Sequence, residues 1–207
     1  MHFLRFLHRV NIFGTFTEMY GENHLHFVGF CVIINRMIAF FSEVRIMSIE
    51  LVRNALQAHG LAEQIIEFSV SSATVALAAE ALGCDGAHIA KSLTFHGTEN
   101  TVLLVAAGDA RIDNAKFKAQ FGCKAKMLTP EEVIAATGHA VGGVCPFALP
   151  ESGVEVWLDI SLQRFSTVYP ACGSSNSAIP LDCETLFRVS GSRGWVDVCR
   201  GWNETEA

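Results

Sequence analysis

The sequence predicts an α/β (α+β) fold, a single domain with a mixed, mostly antiparallel β-sheet flanked by helices. Helical and strand-like segments alternate irregularly along residues 47–200, which is typical of a mixed sheet covered by helices. Half of the 207 residues are hydrophobic, which suffices for one substantial core. Glycines and N-capping residues mark the ends of most segments. Residues 201–207 are expected to form a tail.

The segments in the first half of the domain are bounded by a capping residue or a glycine. IELVRNALQAHG places Ile49, Val52 and Leu56 on one helical face and ends at a glycine. EFSVSS is predicted as a short strand, and Thr74 as the N-cap of the helix TVALAAEALG. HIAKSLTFHG and TVLLVAAGD are predicted to pair as a hairpin across HGTEN.

The second half of the domain contains three further predicted helices with capping residues. Asp113 is the predicted N-cap of RIDNAKFKAQFG, and Asp182 is that of CETLFRVSG. TPEEVIAATG begins with a capping box, in which Thr129 is the N-cap and Glu132 the third helical residue. KAKML, VEVWLDISL and SNSAIPL are predicted as strands.

Residues 1–46 differ in composition from the rest of the chain. They contain eight of the fifteen phenylalanines but only one alanine. Their apolar stretch at residues 25–41 contains His26, Asn35 and Arg36, each of which is costly inside a membrane. MSIELVRNALQAHG, from Met47, is typical of a cytosolic N-terminus. We therefore expect residues 1–46 to be an N-terminal extension that is non-native or disordered, and we expect no membrane association.

Composition and motifs exclude several classes of function. The formal net charge of −6 does not favour nucleic-acid binding by the surface as a whole. The seven cysteines are scattered without a CxxC pair, which is typical of reduced cytoplasmic thiols and not of a disulfide framework or zinc site. The motifs GxxxxGK[ST], GxGxxG, GxSxG and HExxH are absent. We expect a cytoplasmic protein without a metal or organic cofactor.

Charged residues cluster around two predicted strands. Lys91 lies inside the apolar segment HIAKSLTF, so its ammonium must reach a cleft, pair with an acid or extend to solvent. AAGDARIDNAK brings Asp109, Arg111 and Asp113 to a strand end, where α/β proteins assemble sites, although capping alone explains Asp113. Six of the eleven Lys and Arg residues after residue 46 fall between residues 91 and 126. This concentration suits either a phosphate contact or a solvated helix face.

Two uncharged loops offer further candidates. In GHAVGGVCPFALP, residues 138–150, the paired glycines leave backbone N–H groups unobstructed for a carbonyl or an oxyanion. Cys145 in this loop is a candidate nucleophile, but no activating partner is adjacent, and His139 is six residues away. Ser175 and Asn176, in a GSSN turn, suit either a ligand's polar atoms or the turn's own backbone.

Six segments, taken in order, resemble the YbaK/EbsC family, whose members are similar to prolyl-tRNA editing domains. They are TVALAAEALG, IAKSLTF, VLLVAAGDARIDNAK, TGHAVGGVCPF, VWLDISLQRF and YPACGSSNSAIPL, and the resemblance spans about residues 47–200. It implies a free-standing editing enzyme that hydrolyses the ester of a small amino acid wrongly attached to tRNA, most often proline-accepting tRNA. The implied partners are the 3′ end of aminoacyl-tRNA and an aminoacyl-tRNA synthetase.

The resemblance also assigns roles to residues of this chain. The family's functional lysine corresponds to Lys91 and its Gly-x-x-x-Pro substrate loop to Gly142–Pro146, which makes Lys91, Gly142 and Gly143 the expected catalytic residues. The expected substrate-binding residues are Thr74, Phe95, Arg111, Asp113, Val144, Cys145, Pro146, Phe147, Ser175 and Asn176. Cys145 and Ala148 depart from the family pattern, which commonly has a hydroxyl residue and a glycine there. No metal site is implied.

Two alternatives from other classes stay open at this point. One is a non-catalytic module that holds an amino acid or a tRNA end and regulates a partner protein. The other is a thiol-redox protein that uses Cys145, although no second cysteine is near it in sequence. Turnover of mischarged tRNA separates the editing enzyme from both.

Overall fold

The structure is a computed structural model and describes residues 48–151 and 153–203. In chain order, its helices and strands are α1 (48–57), β1 (Ile66–Glu67), α2 (Val75–Leu82), β2 (Ile89–His96), β3 (Thr101–Ala107), β4 (Arg111–Ile112), α3 (Asn114–Phe121), α4 (Pro130–Thr137), β5 (Val154–Asp159), β6 (Tyr169–Pro170), β7 (Ser177–Ala178), α5 (Cys183–Val189), β8 (Trp195–Val196) and β9 (Cys199–Arg200). Short 3-10 turns occur at Ala62–Gln64, Gly86–His88 and Ile160–Arg164. The predicted extension at residues 1–46 lies outside the described residues.

The central sheet has five strands in the order β6-β2-β3-β5-β8. β2 and β3 form its longest ladder and are antiparallel, with Lys91 opposite Ala106 and Phe95 opposite Val102. β6, β5 and β8 join this hairpin in parallel. Two smaller sheets, β1 with β7 and β4 with β9, are antiparallel. The predicted mixed α/β fold with a helix-flanked sheet is confirmed.

β3 is the core strand because it is apolar on both faces. Its residues from Val102 to Ala107 are at most 3% exposed. A strand covered on both faces needs such a continuous apolar run, and each fully buried Val or Leu contributes roughly 1.5–3 kcal/mol. α3 packs beside β2, where the rings of Phe95 and Phe117 have centroids 4.9 Å apart. The hairpin therefore provides a rigid base from which Lys91 projects.

The predicted helix starts are confirmed at the level of individual hydrogen bonds. The Thr74 hydroxyl accepts from the Leu77 amide, and the Asp113 carboxylate accepts from the first turn of α3. The capping box of Thr129 and Glu132 is complete, and Asp182 caps α5. Ile49, Val52 and Leu56 are buried on one face of α1, as the periodicity predicts.

Four predictions about strands were wrong in extent. In SNSAIPL, only Ser177 and Ala178 form a strand, β7. Only the first residue of EFSVSS, Glu67, lies in a strand, since the following residues bend while they hydrogen-bond to Ser175 and Asn176. KAKML forms a single bridge, Met127 with Phe95, instead of a strand. VEVWLDISL leaves the sheet after Asp159, whose carboxylate caps a 3-10 turn. β4, β6, β8 and β9 were not predicted. Within the described residues, no helix is long and apolar enough to cross a membrane.

Candidate functional site

The glycine loop, residues 142–146, packs tightly against the turn at residues 173–175. A Cβ atom on Gly143 would lie 2.9 Å from backbone atoms of Gly173 and Ser174. A Cβ on Gly142 would lie 2.9 Å from the Ala73 Cβ, and the φ of Gly142 is +90°. Both positions therefore require glycine. Gly143 requires it for space, and Gly142 requires it for space and for its backbone conformation.

The backbone N–H groups of the glycine loop differ in availability. The Gly143 amide donates to the Ala140 carbonyl at 2.9 Å, so it is not a free donor. Within the part of the chain that the structure describes, the amides of Gly142 and Val144 have no hydrogen-bond acceptor. The donors available to a ligand carbonyl are thus the amides on either side of Gly143. In this conformation the Gly143 amide is therefore occupied, and the catalytic role expected of Gly143 stays a prediction.

His139 anchors the chain just before the glycine loop. Its Nε2–H donates to the Phe147 carbonyl at 2.9 Å, and its Nδ1 accepts from the Ser48 hydroxyl, a pairing that assigns the neutral tautomer. Burial lowers the pKa of His139, although the bond to the Phe147 carbonyl opposes this. The buried, neutral imidazole therefore connects Ser48 of α1 to Phe147, the residue that follows the glycine loop.

Cys145 lies beside His139 but is not activated by it. The Cys145 Sγ is 3.6 Å from the His139 Nε2, which already carries the proton donated to Phe147 and so cannot accept a thiol proton. Cys145 is fully buried, and burial raises the pKa of its thiol to about 12. At pH 7 only about one thiol in 10⁵ is then ionised. Cys145 fills space under the loop and does not meet the requirement for a nucleophile.

Lys91 is held at the end of the β2–β3 hairpin by backbone carbonyls. Its Nζ donates to the Gly108 carbonyl at 3.0 Å and to the Ala110 carbonyl. An ammonium has three N–H donors, so one remains for a ligand oxygen. Burial lowers the pKa of Lys91, and the guanidinium of Arg111 acts in the same direction. The carboxylates of Asp109 and Asp159 oppose this lowering.

An ion pair lies next to the carbonyls that hold Lys91. The guanidinium of Arg164 donates to both carboxylate oxygens of Asp109, at 3.0 and 2.6 Å, and its Nε donates to the Ser161 carbonyl at 2.9 Å. The same guanidinium lies 5.1 Å from the centre of the Trp202 ring. Asp109 lies between Gly108 and Ala110, so this bidentate contact supports the backbone segment that carries both carbonyls, together with the hydrogen bonds of the Gly108 and Ala110 amides to Ala87 and Ala107.

The first turn of α2 connects the glycine loop with the residues that hold Lys91. Ala73 contacts Gly142, whereas Val75 contacts Gly108, where a Cβ would lie 2.7 Å from the Val75 Cγ1. Thr74, the N-cap between them, is exposed and accepts from the Leu77 amide at 3.3 Å. Lys91, the glycine loop and Thr74 are thereby parts of one continuous packed unit.

The remaining predicted site residues differ in burial and in their contacts. Phe95 and Phe147 are each 2% exposed and belong to the core. Asp113 accepts from the amides of Ala115 and Lys116 as the cap of α3. Pro146 is buried, Val144 is half-buried and Arg111 is exposed. Their proposed substrate contacts stay predictions.

Ser175 and Asn176 tie their turn to the segment before α2. The Ser175 carbonyl accepts from the Ser72 amide at 2.6 Å. The Asn176 Nδ2 donates to the backbone carbonyl of Phe68 at 2.8 Å, and the backbone carbonyl of Asn176 accepts from the Phe68 amide at 2.8 Å. Both residues therefore support the glycine loop from behind, which is the backbone role that their turn chemistry allowed.

Sequence reasoning missed four contributors to this site, namely Ala73, Val75, Arg164 and Asp159. Asp159 is fully buried and accepts from the amides of Ser161 and Val198, each at 3.0 Å. A buried aspartate at the end of an apolar strand is itself a signal, since such a carboxylate requires hydrogen-bond donors. Nothing in the sequence pairs Arg164 with Asp109, 55 residues away.

A separate cavity of about 270 Å³ lies at the other end of the hairpin, beside Asn100 and Trp157.

Comparison with known proteins identifies a family and several relatives that match most of the described residues. Residues 70–189, which include Lys91 and the glycine loop, match the family described as "Aminoacyl-tRNA editing domain". The uncharacterized protein YwhH of Bacillus subtilis (strain 168) is 51% identical over 157 residues, which are 75% of this chain and 99% of that protein. The proline–tRNA ligase of Shouchella clausii (strain KSM-K16) is 30% identical over 124 residues, which are 59% of this chain and 21% of the ligase.

A solved structure shows the same relationship. It is described as a candidate trans-editing enzyme for prolyl tRNA synthetase, has a TM-score of 0.67 and is 30% identical in sequence. The similarity covers 74% of this chain and 98% of that one.

Proposed function

Because the chain belongs to the aminoacyl-tRNA editing domain family, we propose that it is a cytoplasmic trans-editing deacylase that hydrolyses the ester of a small, wrongly attached amino acid on tRNA. tRNA-Pro is the proposed carrier, since a proline–tRNA ligase and a candidate trans-editing enzyme for prolyl tRNA synthetase are among the relatives. The observation that carries the proposal is the family match over residues 70–189, which contain Lys91 and the glycine loop.

Lys91 supplies a fixed positive charge in this proposal. Two of its N–H groups are held by the carbonyls of Gly108 and Ala110, so the third is directed by the protein before substrate arrives. A donor that needs no reorganisation stabilises developing negative charge more than a mobile one. Its ligand is an oxygen of the reacting ester or of the terminal phosphate.

The glycine loop supplies neutral donors. The free amides of Gly142 and Val144 suit the carbonyl oxygen of the ester, which becomes an oxyanion when water attacks. Gly143 lets the loop approach residues 173–174 closely, and this contact fixes the two amides. The proposal includes no covalent intermediate on Cys145, because burial raises the pKa of its thiol to about 12 and so disfavours the thiolate that would have to attack.

Deacylation of a panel of mischarged tRNAs, including alanyl, cysteinyl, seryl and threonyl esters of tRNA-Pro, tests the proposal. We expect turnover of at least one ester by the wild type. Loss of one preorganised donor lowers kcat by about 10²–10³-fold, so Lys91→Ala is expected to lose activity by that factor. Arg193→Ala is the matched control, because Arg193 is an exposed cation whose partner is Glu155.

The same panel decides between catalysis and binding alone. Retained tRNA binding without turnover of any ester would favour the non-catalytic module over the deacylase. Wild-type activity in Lys91→Ala would remove Lys91 from the mechanism. Comparison of the esters at equal concentration identifies the preferred amino acid, since an apolar pocket discriminates one methylene by only about 10–200-fold.

A further inference from the structure

Two arginines face each other on the small β4–β9 sheet. Arg111 and Arg200 are directly opposite in the antiparallel register, and both are exposed. Side chains at directly opposite positions lie on the same face, where two like charges are destabilising. Within residues 48–151 and 153–203, no carboxylate forms a salt bridge with either guanidinium. Asp109 is engaged by Arg164 and Asp197 by Lys116. Asp113 caps α3, and its pKa is lowered chiefly by the hydrogen bond from the Lys116 amide and also by the nearby guanidinium of Arg200, so this carboxylate offsets part of the charge of the pair.

A second basic feature, a groove, lies beside α3, the helix that follows β4 in the chain. α3 begins two residues after β4, and a cavity of about 460 Å³ beside it is lined by Asn114, Ala115, Lys118, Lys124 and Ala125. Both of its charged lining residues are lysines, although the chain as a whole carries a net charge of −6. We call Arg111, Arg200, Lys118 and Lys124 the basic surface. The basic surface concentrates positive charge on a chain whose net charge is negative, and such a concentration favours the binding of an anionic partner.

The basic surface begins at the candidate site itself. Arg111 directly follows Ala110, whose carbonyl holds the ammonium of Lys91. In an aminoacyl-tRNA, the ester lies at the 3′ end and the backbone phosphates of the acceptor strand follow it. A surface that adjoins the ester site therefore meets phosphates, and arginine forks bind phosphate oxygens with two parallel hydrogen bonds.

We propose that the Arg111–Arg200 pair and the Lys118–Lys124 groove bind the backbone phosphates of the tRNA acceptor end. This inference rests on the proposed function, because it takes aminoacyl-tRNA as the substrate. The phosphates relieve the repulsion between the two arginines, so the pair is a preformed anion site. The net negative charge of the remaining surface restricts binding to the short segment next to the ester.

Salt-dependent binding of an uncharged tRNA-Pro transcript tests the basic surface. Each single-strand phosphate contact contributes about −0.7 to the slope of log K against log salt concentration. R200Q is expected to reduce this slope by about 0.7, and K118Q/K124Q by about 1.4. R200Q is expected to raise Kd about tenfold and K118Q/K124Q about 100-fold, given the strength of one and two hydrogen bonds to charged groups. R188Q/R193Q removes two exposed cations elsewhere on the domain and is expected to change neither quantity.

A second substrate separates phosphate binding from chemistry. A 3′-aminoacyl-adenosine carries the same ester without backbone phosphates, so K118Q/K124Q is expected to hydrolyse it within about twofold of wild type. Loss of this activity, or a salt slope equal to that of wild type in both R200Q and K118Q/K124Q, overturns the inference. The thermal midpoint of R200Q is expected to be equal to or above that of wild type, because repulsion is removed. If no ester is hydrolysed by the wild type, the deacylase proposal fails, while the tRNA affinities and slopes still decide the basic surface.

Discussion

A methyl group at Gly143 tests whether close packing of the glycine loop is required for activity. Its φ is not in the left-handed region, so alanine can adopt the backbone conformation. The new Cβ would nevertheless lie 2.9 Å from the carbonyl carbon and oxygen of Gly173 and the carbonyl carbon of Ser174. All three atoms belong to the backbone and cannot rotate away. Overpacking of this kind costs about 1–3 kcal/mol, so we expect Gly143→Ala to lower the free energy of unfolding by that amount.

Gly138→Ala provides a control that introduces backbone strain without a steric clash. Gly138 has a φ of +72°, but nothing lies within 4 Å of the position that a methyl group would occupy there. The left-handed conformation costs alanine about 1–2 kcal/mol, so the two variants are expected to lose similar stability. Only Gly143→Ala displaces the loop from residues 173–174, and only this variant is expected to lose deacylation where both proteins are folded.

Urea unfolding and deacylation of a mischarged tRNA at saturating concentration measure the two effects. A shift of the urea midpoint at constant slope reports the stability change. Displacement of the loop removes at least one donor from the oxyanion, for which we expect about a 10²-fold loss of kcat in Gly143→Ala. Wild-type stability and activity in Gly143→Ala would refute the packing argument. An equal loss of activity in Gly138→Ala would show that stability alone governs the rate.

Three further predictions concern single residues near the loop. Cys145→Ser is expected to retain deacylation within a few-fold of wild type, because the thiol has a pKa of about 12; abolished turnover would restore the nucleophile. Ala148 has a φ of +51°, so Ala148→Gly is expected to raise the free energy of unfolding by about 0.5–1 kcal/mol in urea, and a decrease would contradict this. Burial lowers the pKa of His139, so the unfolded chain binds a proton that the folded chain does not. Stability is therefore expected to fall as pH drops below about 6.5, and the slope is expected to flatten in His139→Gln; equal slopes would exclude His139 as the cause.

The parts of the fold that could be predicted are those fixed by local hydrogen bonds. Thr74, Asp113 and Asp182 each satisfy amides within three residues of themselves, so their helices could be located from sequence alone. β8 and β9 have two residues each and depend on distant partners, β5 and β4. KAKML has strand-forming residues but bridges β2 only at Met127. Local propensity alone does not determine such contacts.

The site followed the same division. The resemblance to the YbaK/EbsC family assigned Lys91 and the glycine loop as expected site residues, whereas the apolar segment around Lys91 alone left open a lysine that extends to solvent. The contacts that join them could not be identified from sequence, since Val75 and Gly108 are distant in sequence and lie side by side only in the folded domain. The bond between His139 and Ser48 spans 91 residues and determines that the histidine does not activate Cys145. The short separation of His139 and Cys145 in sequence does not by itself show whether the histidine activates the cysteine.

The hydrogen bonds of the site favour stabilisation of charge over abstraction of a proton. Lys91, Gly142 and Val144 each offer an N–H donor to a ligand. The two carboxylates near Lys91 are both occupied, Asp109 by a bidentate guanidinium and Asp159 by two backbone amides. A carboxylate held in this way is a poor general base, because accepting a proton would break the bonds that fix it. In the proposed reaction the protein therefore binds the oxyanion, and the acceptor for the proton of the attacking water belongs to the substrate.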